Sequence, residues 1–340
     1  MTVLIAIEEA FSLPELDERR RAAFARRVTS PVVQAELARR QEIYRRDFAA
    51  RLADFADHRL PEMDAAGVDV QVLSLTTPGI QGEPDAATAV ADARTANDFL
   101  AAVIAEHGAR FQGFAALPLQ DPHAAVTELQ RAVDDLGFVG ALVNDHGPDV
   151  ARLRRPEYDP LWRTLADLNV PLYLHPGAPE IDPADITPDD EGSWAADAAI
   201  HALRLGARTA ALAARLVHAR IFDRHPGARI ILGHMGEGLP FQLARLDARY
   251  RQAGETRLQR PPSAYFGDNV LITTSGIHSP ETLAAAVLAV GADAVLFAID
   301  YPFESSTEAA HFLRTAPLSV HDREKIAHRN AERLLLRGAR

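Results

Sequence analysis

The chain contains no cysteine. Disulfides and thiolate metal sites are therefore excluded, and any metal must be held by His, Asp or Glu. Basic charge is also scarce: 36 Lys and Arg stand against 47 Asp and Glu, for a formal net charge of −11. The arginines that cluster at Arg19–Arg27 and Arg39–Arg51 are interspersed with acids and alanines at helical spacing. They read as solvated helix faces rather than as a track for a phosphate backbone, so no nucleic acid partner is expected. Long apolar runs are missing as well. The opening MTVLIAIEEAF has no basic lead, and its apolar stretch ends at Glu8. That matches neither a secretory signal nor a membrane span, and a cytoplasmic protein with no membrane partner is expected. Internal repeats, low-complexity tracts and linkers are absent too, so residues 1–340 are expected to form a single domain.

What is present is a recurrence of short, β-branched apolar runs: Val3–Ile7, Val70–Leu75, Phe111–Leu117, Val139–Val143, Pro171–Leu174, Arg229–Leu232, Val270–Thr273 and Ala294–Ile299. Continuous apolar character, rather than alternation, marks strands covered on both faces, as in parallel sheets. Between them lie helical patterns such as Val90, Ala93, Leu100 and Ile104, or Val126, Leu129, Val133 and Leu136. Longer ones cover Ala195–Phe222, Leu239–Gln252, Pro280–Val290, Ser306–Ala316 and Asp322–Leu336. Eight strands alternating with helices predict an α/β fold of the (β/α)8 TIM-barrel class. An additional helical segment, Ser12–Ala56, is expected to pack across one end, and Gly177–Gly192 reads as a long loop after strand five.

Catalytic residues of such barrels sit at the carboxyl ends of strands. Of thirteen histidines, only His175 and His234 directly follow a strand, in LYLHP and IILGHMGEG. Glu8 ends strand one and Asp300 ends strand eight. Two carboxylates and an imidazole brought together without cations repel one another, and a divalent ion with N/O preference removes that cost. Glu8, His175 and Asp300 are the expected metal ligands. Alternation along strand one puts Glu8 and Glu9 on opposite faces, and pattern alone leaves open which faces inward. His234 and Glu237 share a Gly-rich turn that reads as a general acid/base pair, with Glu237 orienting the ring.

Taken together, IAIEEAF, GVDVQVLSLTTPGIQG, RFQGFAALPLQDP, ELQRAVDDLGFVGALVND, VPLYLHP, IILGHMGEGLPF, LITTSG and FAIDYPFE resemble the amidohydrolase-related non-oxidative aromatic acid decarboxylases. That group includes the 2,3-dihydroxybenzoate, γ-resorcylate, salicylate and 5-carboxyvanillate enzymes. The resemblance implies an amidohydrolase-like, distorted barrel holding one divalent ion (Zn²⁺ or Mn²⁺, with Mg²⁺ a third candidate) on Glu8, His175 and Asp300. It also implies His234 and Glu237 as the active-site pair, Arg245 and Asn144 as substrate-binding residues, and a homodimer or homotetramer. The implied reaction is decarboxylation of an ortho-hydroxylated aromatic acid, with Asp300 as proton carrier. The alternative is metal-dependent hydrolysis of a lactone, amide or ester. The sequence departs from some members at Ala10, where they carry a histidine, and at Ile277-His278 after TTSG.

Overall fold

The computed structural model describes residues 3–25, 30–177, 194–254 and 257–335. Eight parallel strands run in sequence order around one sheet. They are β1 (Ile5–Phe11), β2 (Val70–Leu75), β3 (Phe111–Ala116), β4 (Gly140–Asp145), β5 (Leu172–Pro176), β6 (Ile230–Leu232), β7 (Val270–Thr273) and β8 (Val295–Leu296). β8 has only two ladder residues because the chain beyond it turns to close the barrel on β1. Ile7 N donates to Phe297 O at 3.2 Å, Asp300 N to Glu8 O at 3.1 Å and Ala10 N to Tyr301 O at 2.8 Å.

Side chains along each strand divide between two apolar layers. Ile7, Val72, Phe114, Leu142, Tyr173, Ile231, Leu271 and Leu296 share one buried cluster inside the barrel. Their strand neighbours, among them Ala6, Leu73, Ala115, Leu172 and Ile272, belong to the larger cluster between strands and helices. This is the period of two expected of sheets covered on both faces. The barrel's interior is therefore packed, and its chemistry is confined to the strand ends.

The connecting helices begin and end where the sequence supplies caps. Asp121 precedes Pro122–Asp134 and accepts from the amides of His123 and Ala124. Ser279 caps Pro280–Val290, and Asn169 ends Asp159–Leu168 in the left-handed region. The helix expected over Ala195–Phe222 is broken: Trp194–His218 stops, Arg220 takes a positive φ of 61°, and Ile221–Arg224 starts a new turn. The closing helix is likewise interrupted by a π segment at Lys325–Arg329. Apart from Gly177, the loop expected after β5 lies outside the described residues.

The extra segment forms helices Pro14–Ala25, Pro31–Asp47 and Ala49–Ala53, and it lies across the carboxyl end of the barrel. Arg20 donates to Gly79 O beyond β2, Arg51 donates to Pro302 O beyond β8, and Phe48 packs on Phe303 at 5.0 Å between ring centroids. Among the described residues, no helix is long and apolar enough to cross a membrane.

Candidate metal centre

A bulge decides which glutamate enters the barrel. Ala6 pairs with Gln71, yet Glu9 pairs with Leu73, so β1 advances three residues while β2 advances two. The extra residue reverses the alternation. Ile7 and Glu8 both face inward, and Glu9 turns out, where its carboxylate accepts from Ile299 N at 3.0 Å and Tyr301 N at 3.2 Å.

Glu8 is buried between the two strand-end histidines. Its Oε1 lies 3.5 Å from His175 Nε2 and 3.8 Å from His234 Nε2. Asp300 Oδ2 lies 3.4 Å from His234 Nε2, and Glu8, His234 and Asp300 each offer an atom within 4.8 Å of the others. His175 stands outside that tight group but within 3.5 Å of the Glu8 oxygen. The four strand-end residues read from the sequence thus do meet at one mouth.

The hydrogen bonds define what each atom has left to offer. His175 Nδ1 is 2.7 Å from Pro176 O, and a carbonyl can only accept, so Nδ1 donates there and Nε2 is the ring nitrogen left to face the site. That nitrogen faces Glu8 Oε1, a buried oxygen with no hydrogen-bond partner among the described residues. A ring nitrogen and a carboxylate oxygen turned toward each other at the site fit a shared cation, and the N/O donor set fits a borderline or hard divalent ion. Burial pushes the Glu8 carboxyl up from its ordinary value, with His234 opposing the rise and Asp300 reinforcing it. Burial also opposes charge on His234, but Glu8, Asp300 and Glu237 outweigh it and hold the imidazole well above its usual range.

His234 and Glu237 sit on an uncommon piece of backbone. His234, Met235, Gly236, Glu237 and Gly238 all have positive φ, between 48° and 74°. A left-handed turn costs L-residues about 1–2 kcal/mol each, and such strain gathers at functional sites. Here it brings His234 Nδ1 to 2.8 Å from Glu237 Oε1. Asp300 is likewise at φ 78°, between the two amides that Glu9 holds.

A family profile described as amidohydrolase matches residues 33–337. The chain belongs to the amidohydrolase family. It sits among that family's aromatic acid decarboxylases. A gamma-resorcylate decarboxylase of Rhizobium sp. (strain MTP-10005) is 42% identical over 309 residues, 86% of this chain and 90% of that protein. A dihydroxybenzoic acid decarboxylase from Polaromonas sp. JS666, solved with bound manganese and the inhibitor 2-nitroresorcinol, superposes with a TM-score of 0.81 at 37% identity, covering 98% of this chain and 97% of that one. The 5-carboxyvanillate decarboxylase of Sphingomonas paucimobilis gives a TM-score of 0.86 at 34% identity, covering 98% and 99%.

In this amidohydrolase a small cavity opens beside the acidic cluster. Glu8, His175 and Asp300 line one side, Asn144 and Thr76 another, and Leu142 and Phe303 supply apolar walls. Asn144, singled out from the sequence, is buried with its Oδ1 unpartnered. Arg245, also singled out, is exposed on the helix Leu243–Gln252 and does not line this cavity.

Sequence reasoning passed over Tyr173, Thr273 and Ser275. Thr273 Oγ1 donates to Glu8 Oε2 at 3.1 Å, and the Tyr173 hydroxyl donates to the same oxygen. Tyr173 lies two residues before His175, on the inward face of β5, which was the available signal. It was hidden because an aromatic in an apolar run reads as core.

Proposed function

We propose that this amidohydrolase is a divalent-metal-dependent, non-oxidative decarboxylase of a monocyclic aromatic acid bearing a hydroxyl ortho to its carboxyl group. The observation that carries this reading is the buried Glu8 Oε1, without a hydrogen-bond partner among the described residues, facing His175 Nε2 beside Asp300. Relatives that include gamma-resorcylate and dihydroxybenzoic acid decarboxylases support the chemistry.

Glu8, His175 and Asp300 would hold the ion, and manganese is the metal present in the Polaromonas relative. When bound, it supplies positive charge that neutralises and orients the acid's carboxylate and neighbouring phenolic oxygen. Asp300 delivers the proton. Protonation of the ring carbon that carries the carboxyl group interrupts aromaticity. The bond to the carboxyl group then breaks, its electron pair returns to the ring and CO₂ leaves. His234 Nε2, 3.4 Å from Asp300 Oδ2, is placed to return a proton to that carboxylate. Glu237 accepts from Nδ1 and keeps the ring aimed. Asn144 presents its buried amide oxygen to a ring substituent, and Leu142 and Phe303 keep water from the reacting carbon.

Incubating the purified protein and Mn²⁺ with a panel of mono- and dihydroxybenzoates tests the reading. CO₂ release from at least one ortho-hydroxylated acid, abolished by a chelator and restored by Mn²⁺, is expected. Turnover of lactones, esters or amides with no CO₂ from any acid would contradict it.

A further inference from the structure

Glu8 is fixed by more than its backbone. Its Oε2 accepts from the Tyr173 hydroxyl of β5 and from Thr273 Oγ1 of β7. Thr273 Oγ1 lies 3.1 Å from the Tyr173 hydroxyl and 2.9 Å from Ser275 Oγ, and Ser275 Oγ accepts from the His234 backbone amide at 2.9 Å. Each hydroxyl has one hydrogen. One consistent orientation runs from His234 N–H to Ser275 Oγ, from Ser275 to Thr273, and from Thr273 and Tyr173 to Glu8 Oε2. All three hydroxyl residues are buried. The opposite flank is closed by backbone: a Cβ added at Gly233 would lie 3.0 Å from both Glu8 carboxylate oxygens and 3.1 Å from the Tyr173 hydroxyl.

We infer that Tyr173, Thr273 and Ser275 form a hydroxyl cradle that engages Glu8 Oε2 and thereby leaves Oε1 alone to face the cation. The inference rests on the metal reading proposed above. The asymmetry is its basis, since one oxygen has two donors and the other, though buried, has none among the described residues. A carboxylate free to rotate would offer either oxygen and would lose side-chain entropy on binding. Held this way it presents one atom in a fixed place, as the outer partners of metal-binding carboxylates do. The same chain ends on the His234 amide, so it also fixes the start of the left-handed turn that aims the His234 ring. These are positioning residues, and they touch neither substrate nor reacting carbon.

The test is Mn²⁺ affinity, measured by calorimetry and by electron paramagnetic resonance, in Tyr173→Phe, Thr273→Val, Thr273→Ser and Glu8→Gln. Tyr173→Phe keeps the ring, which packs 6.1 Å from Phe114. Thr273→Val keeps the shape of the side chain, and Thr273→Ser keeps the hydroxyl. Tyr173→Phe and Thr273→Val are expected to weaken binding by about 10- to 100-fold, and Thr273→Ser is expected to restore it. The Tyr173→Phe enzyme, whose hydroxyl lies outside the chain to His234, should recover kcat at saturating Mn²⁺, which damage to the fold would not allow. If Tyr173→Phe and Thr273→Val bind Mn²⁺ like the parent while Glu8→Gln does not, the cradle inference is overturned and the metal site stands. If Glu8→Gln also binds like the parent, Glu8 is no ligand and both readings fall.

Discussion

Two adjacent glutamates, Glu8 and Glu9, are both buried but face opposite sides of β1. Glu8 faces the mouth. Glu9 accepts the amides of Ile299 and Tyr301, on either side of Asp300, whose φ is 78°. Glu9 thus holds a strained aspartate in place without touching the cavity. Glu9→Gln replaces one acceptor with a donor that meets a backbone N–H. A loss of about 1–3 kcal/mol of stability is expected, together with a lower kcat. Denaturant unfolding beside steady-state rates checks it, and unchanged stability would contradict this role. A second residue-scale prediction concerns His234. Burial opposes its protonation, but Glu8, Asp300 and Glu237 raise it well above the ordinary 6.5. A raised histidine stabilises the folded protein fully below 6.5, and that contribution is lost as pH rises through the raised value. In chelator-treated protein, Glu237→Gln should lower the ring's titration point. The variant's stability deficit should be largest in acid and fade as the parent ring deprotonates. Ring titration by nuclear magnetic resonance together with melting across pH measures both, and coincident curves would refute the assignment.

At the scale of elements, the approach of the helix Trp194–His218 to the His234 turn depends on Gly206. A Cβ there would lie 2.1 Å from Glu237 Oε2. In a free helix, Gly→Ala gains about 1 kcal/mol. Here that gain is opposed by displacement of Glu237, and Gly206→Ala is expected to lower activity at least tenfold whatever happens to the melting temperature. Retained activity would show that the helix does not constrain the pair. The same scale explains what could be read in advance. All eight strands were legible because strands covered on both faces carry uninterrupted apolar runs. The β1 bulge was not, since one inserted residue leaves the composition of IAIEEAF unchanged. The break at Arg220 was hidden too, because a left-handed arginine has no sequence mark comparable to glycine. Glu8, His175, His234 and Asp300 were legible as polar groups ending apolar strands. Tyr173, Thr273 and Ser275 act through contacts between strands far apart in sequence, which periodicity does not record.

Over the whole molecule, the centre brings the buried Glu8 and half-buried Asp300 carboxylates together in a protein whose formal net charge is already −11. A bound divalent ion relieves that repulsion, and whatever binds only the folded state stabilises it. At one hundred times its Kd the ion contributes about 2.7 kcal/mol. With an unfolding entropy near 2 cal/mol/K per residue, that corresponds to a rise of about 4 °C in Tm for a chain of this length. Differential scanning calorimetry with and without Mn²⁺ should show this rise in the parent and none in Glu8→Gln. An equal rise in both would place the ion elsewhere.

The central claim is that β1, β5 and β8 deliver Glu8, His175 and Asp300 to one cation that a hydroxylated aromatic acid also reaches. Anomalous diffraction from crystals grown with Mn²⁺ and an ortho-hydroxybenzoate tests it most directly. The account predicts one manganese peak about 2.0–2.3 Å from Glu8 Oε1, His175 Nε2 and an Asp300 oxygen, with the acid's carboxylate beside it in the cavity lined by Asn144. A peak away from these three atoms, or an acid bound in the cavity with no metal at the centre, would contradict it.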